Sequence, residues 1–442
     1  MKKKISLFIF NLINLSIIIG ILSQSLKSNL YGLTSNMDYV VARKTLGGHD
    51  SGSYLEGSLQ LLGLSEKSQA NDFVWQLWPP GMSSSLFILS KSNYLFQHAL
   101  LAGALIQVIS IMIIQNNLRV MISIRSRSLS FLLPTLFLVL YSPYRDWLLG
   151  YGLLYAEGPA LAFLTLSIVV LYKREQLLDG YLIPFRLKSF VLTEKWLLGS
   201  AGFLFGVAAY FRGPFDTMVQ ACFIAWVLIC LTNRVRGKSQ MSLNGAGIFF
   251  GSYFIVTLPW RFFSYLVFNI PLFSWTSLSG DANWAYIPNK ELIENGQEAW
   301  AHGNLNWACE LVTTSCGRSV QYGVSDLIHV IMSNPWDFFL LRTPQLIKTL
   351  ALPGSELYPW NGPYNFMQSA VWLITFSLAI FLLLHRLIQN KLNFYDFVIL
   401  FSVTSTVLLI LFTHFENRYF LPATLLLGIF LGSYKRLDTT HN

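Results

Sequence analysis

Long apolar runs alternate with short polar stretches along most of this chain. The runs centre on residues 5–22, 95–115, 128–143, 154–172, 193–210, 215–232, 244–266, 367–386, 394–413 and 417–434. Each approaches the roughly 20 apolar residues that a helix needs to cross a bilayer. The pattern predicts an all-α fold, a polytopic membrane helix bundle of about 10 transmembrane helices. The first run follows Met1-Lys2-Lys3-Lys4 and has no clean small-x-small cleavage site, so it reads as an uncleaved first helix. Residues 1–442 are expected to form a single transmembrane unit with two long extracytoplasmic loops, 27–94 and 267–366. The first loop is expected to carry amphipathic helices. The second is rich in aromatics, among them Trp275, Trp284, Trp300, Trp307, Trp336 and Trp360, and its segment from Pro335 to Leu352 is apolar enough to lie on or dip into the membrane.

Within the first loop, the stretch Gly47 to Glu56 stands out. Ser53 and Glu56 have the spacing of a capping box, which predicts a helix starting at Ser53. Its Leu55, Leu59 and Leu62 then form one stripe suited to a membrane surface. Asp50 falls on the Gly-rich turn before it, as a turn or cap residue or as a functional carboxylate. Further on, Trp78-Pro79-Pro80-Gly81 stops any helix, because proline fixes the backbone and lacks a donor.

Composition sharpens the membrane reading. Of 442 residues, 53% are hydrophobic and 12% charged, where a soluble protein has about 25% charged; the mean hydropathy is +0.49. The net charge of +9 would suit a nucleic-acid partner if it formed a patch. Instead 18 of the 31 Lys and Arg residues fall in one set of short segments: Lys2, Lys3, Lys4, Arg119, Arg125, Arg127, Lys173, Arg174, Arg186, Lys188, Lys195, Arg234, Arg236, Lys238, Arg386, Lys391, Lys435 and Arg436. By the positive-inside rule these are cytoplasmic, with both termini, and the two long loops are outside. Cys222 and Cys230 lie in an apolar run and read as small buried hydrophobes. Cys309 and Cys316 have six intervening residues and are expected to form a disulfide if their loop is outside, worth about 2–3 kcal/mol. There is no internal repeat, which disfavours the inverted-repeat transporter plan.

Ionisable groups in so apolar a chain are candidates for function. Glu157 opens the fourth run at its outer end, where a helix N-terminus would favour a carboxylate anyway. Arg212 and Asp216 flank Gly213-Pro214 in a tight outer turn, as a local ion pair or as site residues. His414, Glu416 and Arg418 crowd into the outer turn before the last run, more charge than an interfacial anchor needs. A carboxylate beside arginines suits one chemistry in particular. The carboxylate deprotonates an acceptor hydroxyl, and the guanidinium groups hold a phosphate as it departs. No Asp-x-Asp occurs in the first loop, so the sequence requires no metal, and no cofactor is implied.

With these motifs the chain resembles the GT-C superfamily of membrane glycosyltransferases, which includes protein O-mannosyltransferases and aminoarabinose lipid A transferases. The resemblance rests on Gly48-His49-Asp50, Trp78-Pro79-Pro80-Gly81, Tyr155-Ala156-Glu157, Tyr210-Phe211-Arg212-Gly213-Pro214 and Glu416-Asn417-Arg418-Tyr419-Phe420-Leu421-Pro422. It implies an inverting glycosyltransferase of the bacterial inner membrane, moving a sugar from a polyprenyl-phosphate donor to a lipid, glycan or protein acceptor outside. Asp50 would be the catalytic carboxylate, and Arg212 and Arg418 would face the lipid phosphate. Glu56, Glu157, His414 and Glu416 would join in substrate binding. The rival readings are a transporter or flippase for a lipid-linked sugar, and a ligase or polymerase of the O-antigen type.

The topology can be checked directly. A cysteine placed by Ala301→Cys is expected to react with a membrane-impermeant maleimide in intact cells. Reaction only after permeabilisation would put the second long loop inside and remove the external site.

Overall fold

The computed structural model describes residues 2–27, 50–64, 74–76, 78–90, 96–121, 133–136, 138–139, 148–149, 154–178, 194–236, 245–273, 366–389, 392–412 and 417–437, with scattered positions between 331 and 346. Among these, every regular element is helical: α1 (Lys2–Lys27), α2 (Asp50–Leu62), α3 (Gly81–Ser90), α4 (Phe96–Met121), α5 (Glu157–Leu178), α6 (Glu194–Phe211), α7 (Pro214–Arg236), α8 (Ala246–Phe268), α9 (Phe366–Ile388), α10 (Phe394–Phe412) and α11 (Leu421–Leu437), with a 3-10 turn, Asn417–Phe420, before the last. The segments His98–Met121, Pro214–Thr232, Ala246–Phe268 and Phe394–Leu411 are long and apolar enough to cross a membrane. Most predicted runs agree with these helices to within a few residues. The run at 128–143 and the Cys309–Cys316 pair lie largely or wholly outside the described residues.

Large apolar side chains lie exposed on the helix surfaces, as a bilayer solvent allows, while the mainly apolar interior also holds a set of buried polar groups. Ile224, Leu228, Ile255, Leu266, Ile374 and Phe381 are exposed, whereas Asn14, Asn117, Thr165, Ser167, Ser402 and Thr406 are buried. These inner polar groups bond across helices. Asn117 donates to Thr165 Oγ1 at 3.0 Å between α4 and α5, and Ser167 donates to the Ala201 carbonyl at 2.8 Å between α5 and α6.

Helix α6 sits between α5 and α8, with α4 and then α1 beyond α5. A second group runs α7, α10, α11, α9, and joins the first where α10 meets α5 and α11 meets α4. Lipid tails are as apolar as leucine, so close approach of small residues must hold such helices together. Gly199, Gly202 and Gly206 of α6 supply it against α8. A Cβ on Gly202 would stand 2.0 Å from the Phe249 carbonyl oxygen, and one on Gly206 3.1 Å from Val256. Phe205 fills the space between them, edge-on to Phe249 and Tyr253. Asn269, at φ 56°, ends α8 in the left-handed conformation, and the next residue's N–H reaches back to Ser264 O at 3.3 Å.

Three expectations need correction. Helix α2 begins at Asp50 rather than Ser53, so Ser53 and Glu56 lie inside the helix and form no capping box. Nor is α2 a surface helix, because Ser51 to Leu59 are all buried. It packs on α3 through Gly57, where a Cβ would meet Ser83 Oγ at 2.5 Å. Cys222 is buried as expected, but Cys230 is exposed on the outer, apolar face of α7.

The α6–α8 contact yields a paired test. Gly202→Ala places a methyl against backbone that cannot yield, and should cost about 1–3 kcal/mol. Gly251→Ala, on α8 with open space around it, should be neutral or stabilising by up to about 1 kcal/mol. Thermal unfolding of both variants in detergent measures the difference.

Candidate functional site

Four ionisable side chains from four distant segments meet at one end of the bundle. Asp50 and Glu157 are the first residues of α2 and α5, where the exposed N–H groups favour a carboxylate. Arg212 follows the last turn of α6, where carbonyls favour a cation, and Pro214 opens α7 with a φ already suited to a helix. Arg418 lies in the 3-10 turn ahead of α11. That is the wrong end of a helix for a cation, so its neighbours must hold it there.

They do so by charge and by stacking. Asp50 Oδ2 accepts from Arg418 Nη1 at 2.7 Å and from Arg212 Nη1 at 3.2 Å. Glu157 Oε1 lies 2.9 Å from Arg212 Nη2 and 3.6 Å from Arg418 Nη1. The Arg418 guanidinium stands over Tyr155 at 5.1 Å and over Tyr419 at 5.2 Å, and Arg212 shares the Tyr419 ring at 5.3 Å. Each such contact is worth roughly 0.5–2 kcal/mol, more where water is excluded. Tyr419 therefore moderates the repulsion of two neighbouring cations.

The four groups differ in exposure. Glu157, Arg212 and Arg418 have side chains 6%, 8% and 5% exposed, while Asp50 is 16% exposed. Both arginines bond to Oδ2 of Asp50, and Oδ1 accepts no hydrogen bond from the described residues. Tyr54 packs beneath, its hydroxyl 3.5 Å from Arg212 Nη1. Burial pushes this phenol well above its ordinary pKa, and the Asp50 and Glu157 charges add to the rise against the opposing pull of Arg212. It stays neutral at any physiological pH. For Arg212, burial pushes toward the neutral form, but attraction to Glu157, with smaller contributions from Tyr54 and Tyr419, together outweighs burial and the neighbouring Arg418 and raises the pKa above its ordinary value.

One support of this cluster, Gln107, was not legible as a motif. Gln107 of α4 donates to the Tyr155 carbonyl at 2.8 Å and fixes the entry to α5. It lies so close that a Cβ on Gly158 would be 1.8 Å from its Oε1, which explains glycine there. The Trp78-Pro79-Pro80-Gly81 stretch brings α3 against the end of α6, and a Cβ on Gly81 would be 2.5 Å from the Tyr210 carbonyl. Glu56 lies six residues beyond Asp50 in α2. It accepts from Gln60 at 3.3 Å, and Gln60 in turn accepts from the Trp75 indole. His414 and Glu416 lie outside the described residues.

Asp216 does not pair with Arg212. It is buried against Arg261 of α8, the single charged residue in that helix, and against the Tyr253 hydroxyl, with Gln220 donating at 2.6 Å. Arg261 also donates to Thr257 Oγ1 and to the Leu272 carbonyl, both at 3.1 Å. Arg261 thus spends donors from all three of its nitrogens, whereas Arg212 Nη2 makes no aligned hydrogen bond and both Glu157 oxygens lack one. The first arrangement is a strut; the second has capacity for a ligand. Among the described residues no group of three or more His, Cys, Asp or Glu is placed to hold a metal.

No family model matches the chain, and no curated protein matches it. Solved structures similar to it include an archaeal oligosaccharyltransferase, AglB from Archaeoglobus fulgidus, in complex with an inhibitory peptide and a dolichol-phosphate. That match has a TM-score of 0.48 and 12% identity over 97% of this chain and 51% of that chain. An Archaeoglobus fulgidus oligosaccharyltransferase tethered to an acceptor peptide gives TM-score 0.48 and 13% identity, over 97% of this chain and 50% of that one. The chain spans about half the length of these structures.

The strut predicts a double-mutant outcome. Arg261→Met leaves the Asp216 charge buried without its cation and should cost about 3–5 kcal/mol. Adding Asp216→Asn should restore much of that loss, read as the midpoint of thermal unfolding in detergent. Additive losses would mean the two residues do not act as a pair.

Proposed function

We propose that the protein is a membrane glycosyltransferase. It moves a sugar from a polyprenyl-phosphate donor to an acceptor hydroxyl outside the membrane. The observation that carries this reading is the half-clamped carboxylate. Asp50 is fixed through Oδ2 by two arginines, while Oδ1 is left for an incoming acceptor.

In the proposed reaction Oδ1 of Asp50 takes the acceptor proton as the acceptor attacks the anomeric carbon. The bond from that carbon to the phosphate oxygen breaks on the opposite face, which inverts the centre. The departing phosphate carries the negative charge, and Arg212 and Arg418 stabilise it with bidentate, permanently protonated donors. Their confinement between Tyr155, Tyr419 and the carboxylates means that little reorganisation accompanies the charge movement. The apolar outer surface of the bundle keeps the donor's tail in lipid while its phosphate reaches the cluster.

Asp50→Asn tests the role of the carboxylate. It preserves size and hydrogen bonding, and as a helix-start residue Asn serves about as well as Asp. Donor turnover, followed as release of polyprenyl phosphate in membranes, should fall by roughly 10²-fold or more. Glu56→Gln keeps an oxygen for Gln60 and should retain most turnover. The reverse pattern would transfer the role to Glu56. Full activity in both variants would leave a lipid-linked sugar transporter as the better reading.

A further inference from the structure

Arg212 and Arg418 both donate through Nη1 to one atom, Oδ2 of Asp50, at 3.2 and 2.7 Å. Two guanidiniums that converge on one oxygen repel each other, and the repulsion is stronger where water is excluded. An anion that uses both must find both in place, so binding depends on what holds them together before it arrives. Asp50 is one such group. The Tyr419 ring is another that touches both, its centroid 5.3 Å from the Arg212 guanidinium carbon and 5.2 Å from that of Arg418. The ring is itself held without any ligand. Tyr419 follows Arg418 in the 3-10 turn Asn417–Phe420. It also packs against the buried pair Ile410 and Phe420, as does Val407 of α10. An apolar brace and two cations thus meet at one ring.

We infer that Tyr419 is a positioning residue for phosphate binding: its ring presets the spacing of Arg212 and Arg418. This deepens the reading of the site as one for a lipid-linked phosphate and rests on it. The ring is no phosphate ligand, because its electron-rich face repels an anion; it acts on the phosphate through the arginines. That face, and not the hydroxyl, is what the guanidiniums meet. An aliphatic side chain could fill the same space against Ile410 and Phe420, yet it would offer the cations nothing. The arginines would then keep Asp50 as a common partner but sit at a spacing set by their own repulsion. Part of the phosphate's binding energy would go into drawing them together again.

The test is calorimetric titration of the full-length protein in detergent with farnesyl methyl phosphate, a phosphodiester monoanion. Tyr419→Leu should weaken binding by about 3- to 30-fold, the range that a lost cation–π contact covers. Tyr419→Phe drops the hydroxyl, keeps the ring and should recover binding to within about twofold. Arg212→Lys keeps a cation for the phosphate but gives up the flat face that meets the ring. In that background Tyr419→Leu should cost clearly less than in the unaltered protein, a coupling that loss of packing alone does not produce. Tyr419→Met fills a similar volume and replaces the Leu variant if thermal unfolding shows that variant to be misfolded. Equal binding by the aliphatic and Phe variants overturns the positioning role, and so does an undiminished cost in the Arg212→Lys background. Absence of any binding by the unaltered protein would instead count against the lipid-phosphate reading of the site.

Discussion

The Asp50 carboxylate, shared between Arg212 and Arg418 at 3.2 and 2.7 Å, is the contact on which this end of the molecule depends. It joins the start of α2, the α6–α7 turn and the approach to α11, which are separated by up to 368 residues in sequence. Glu157 adds α5. None of these segments would bury its charge alone, because an unpaired ion in so dry a setting costs several kcal/mol. The charges therefore require one another, and requiring one another they fix where the helix ends sit. The helix dipoles assist at three of the four positions. At the fourth, Arg418, two tyrosine rings take their place.

Below that end the bundle is held by other means. Apolar burial gives little preference between a neighbouring helix and a lipid tail, so the contacts that decide are close ones. The glycine face of α6 allows backbone approach to α8, and single hydrogen bonds such as Asn117 to Thr165 tie α4 to α5. The Asp216–Arg261 pair does the same between α7 and α8. It also grips the Leu272 carbonyl and, through Gln220, that of Phe273, so the root of the second long loop is tied to the helix that follows Arg212. A polar strut thus stands directly behind the polar site.

Much of this was legible in the sequence because ionisable residues are conspicuous in an apolar chain. Helix positions followed from the length of the runs, and Asp50, Glu157, Arg212 and Arg418 stood out as charges at their ends. What was not legible was pairing across distance. Asp216 lies four residues from Arg212 and invites a local ion pair, yet its partner is 45 residues away on the next helix. The available signal was Arg261 itself, a lone charge in the middle of an apolar run that had to find a buried partner. Tyr155 and Tyr419 stood in motifs, but nothing in the sequence marked their rings, or Tyr54, as partners of the two arginines among 20 tyrosines. The Ser53–Glu56 spacing misled because Asp50 can start a helix equally well and does so one turn earlier.

The two arginine clusters show why residue type does not decide role. Arg261 meets a carboxylate, a hydroxyl and a carbonyl, so each of its nitrogens is engaged and a ligand could enter only by breaking what holds two helices and a loop. Arg212 meets two carboxylates and a ring, yet keeps a nitrogen without an aligned hydrogen bond. Both are buried beside acids, and both would look alike in any count of ion pairs. The difference is directional. A guanidinium whose donors all point at acceptors is finished as structure, whereas one held mainly by charge and stacking keeps donor capacity that its protein partners do not use. Stacking on Tyr155 and Tyr419 steadies the Arg418 cation at the start of a helix, where the helix dipole does not favour it.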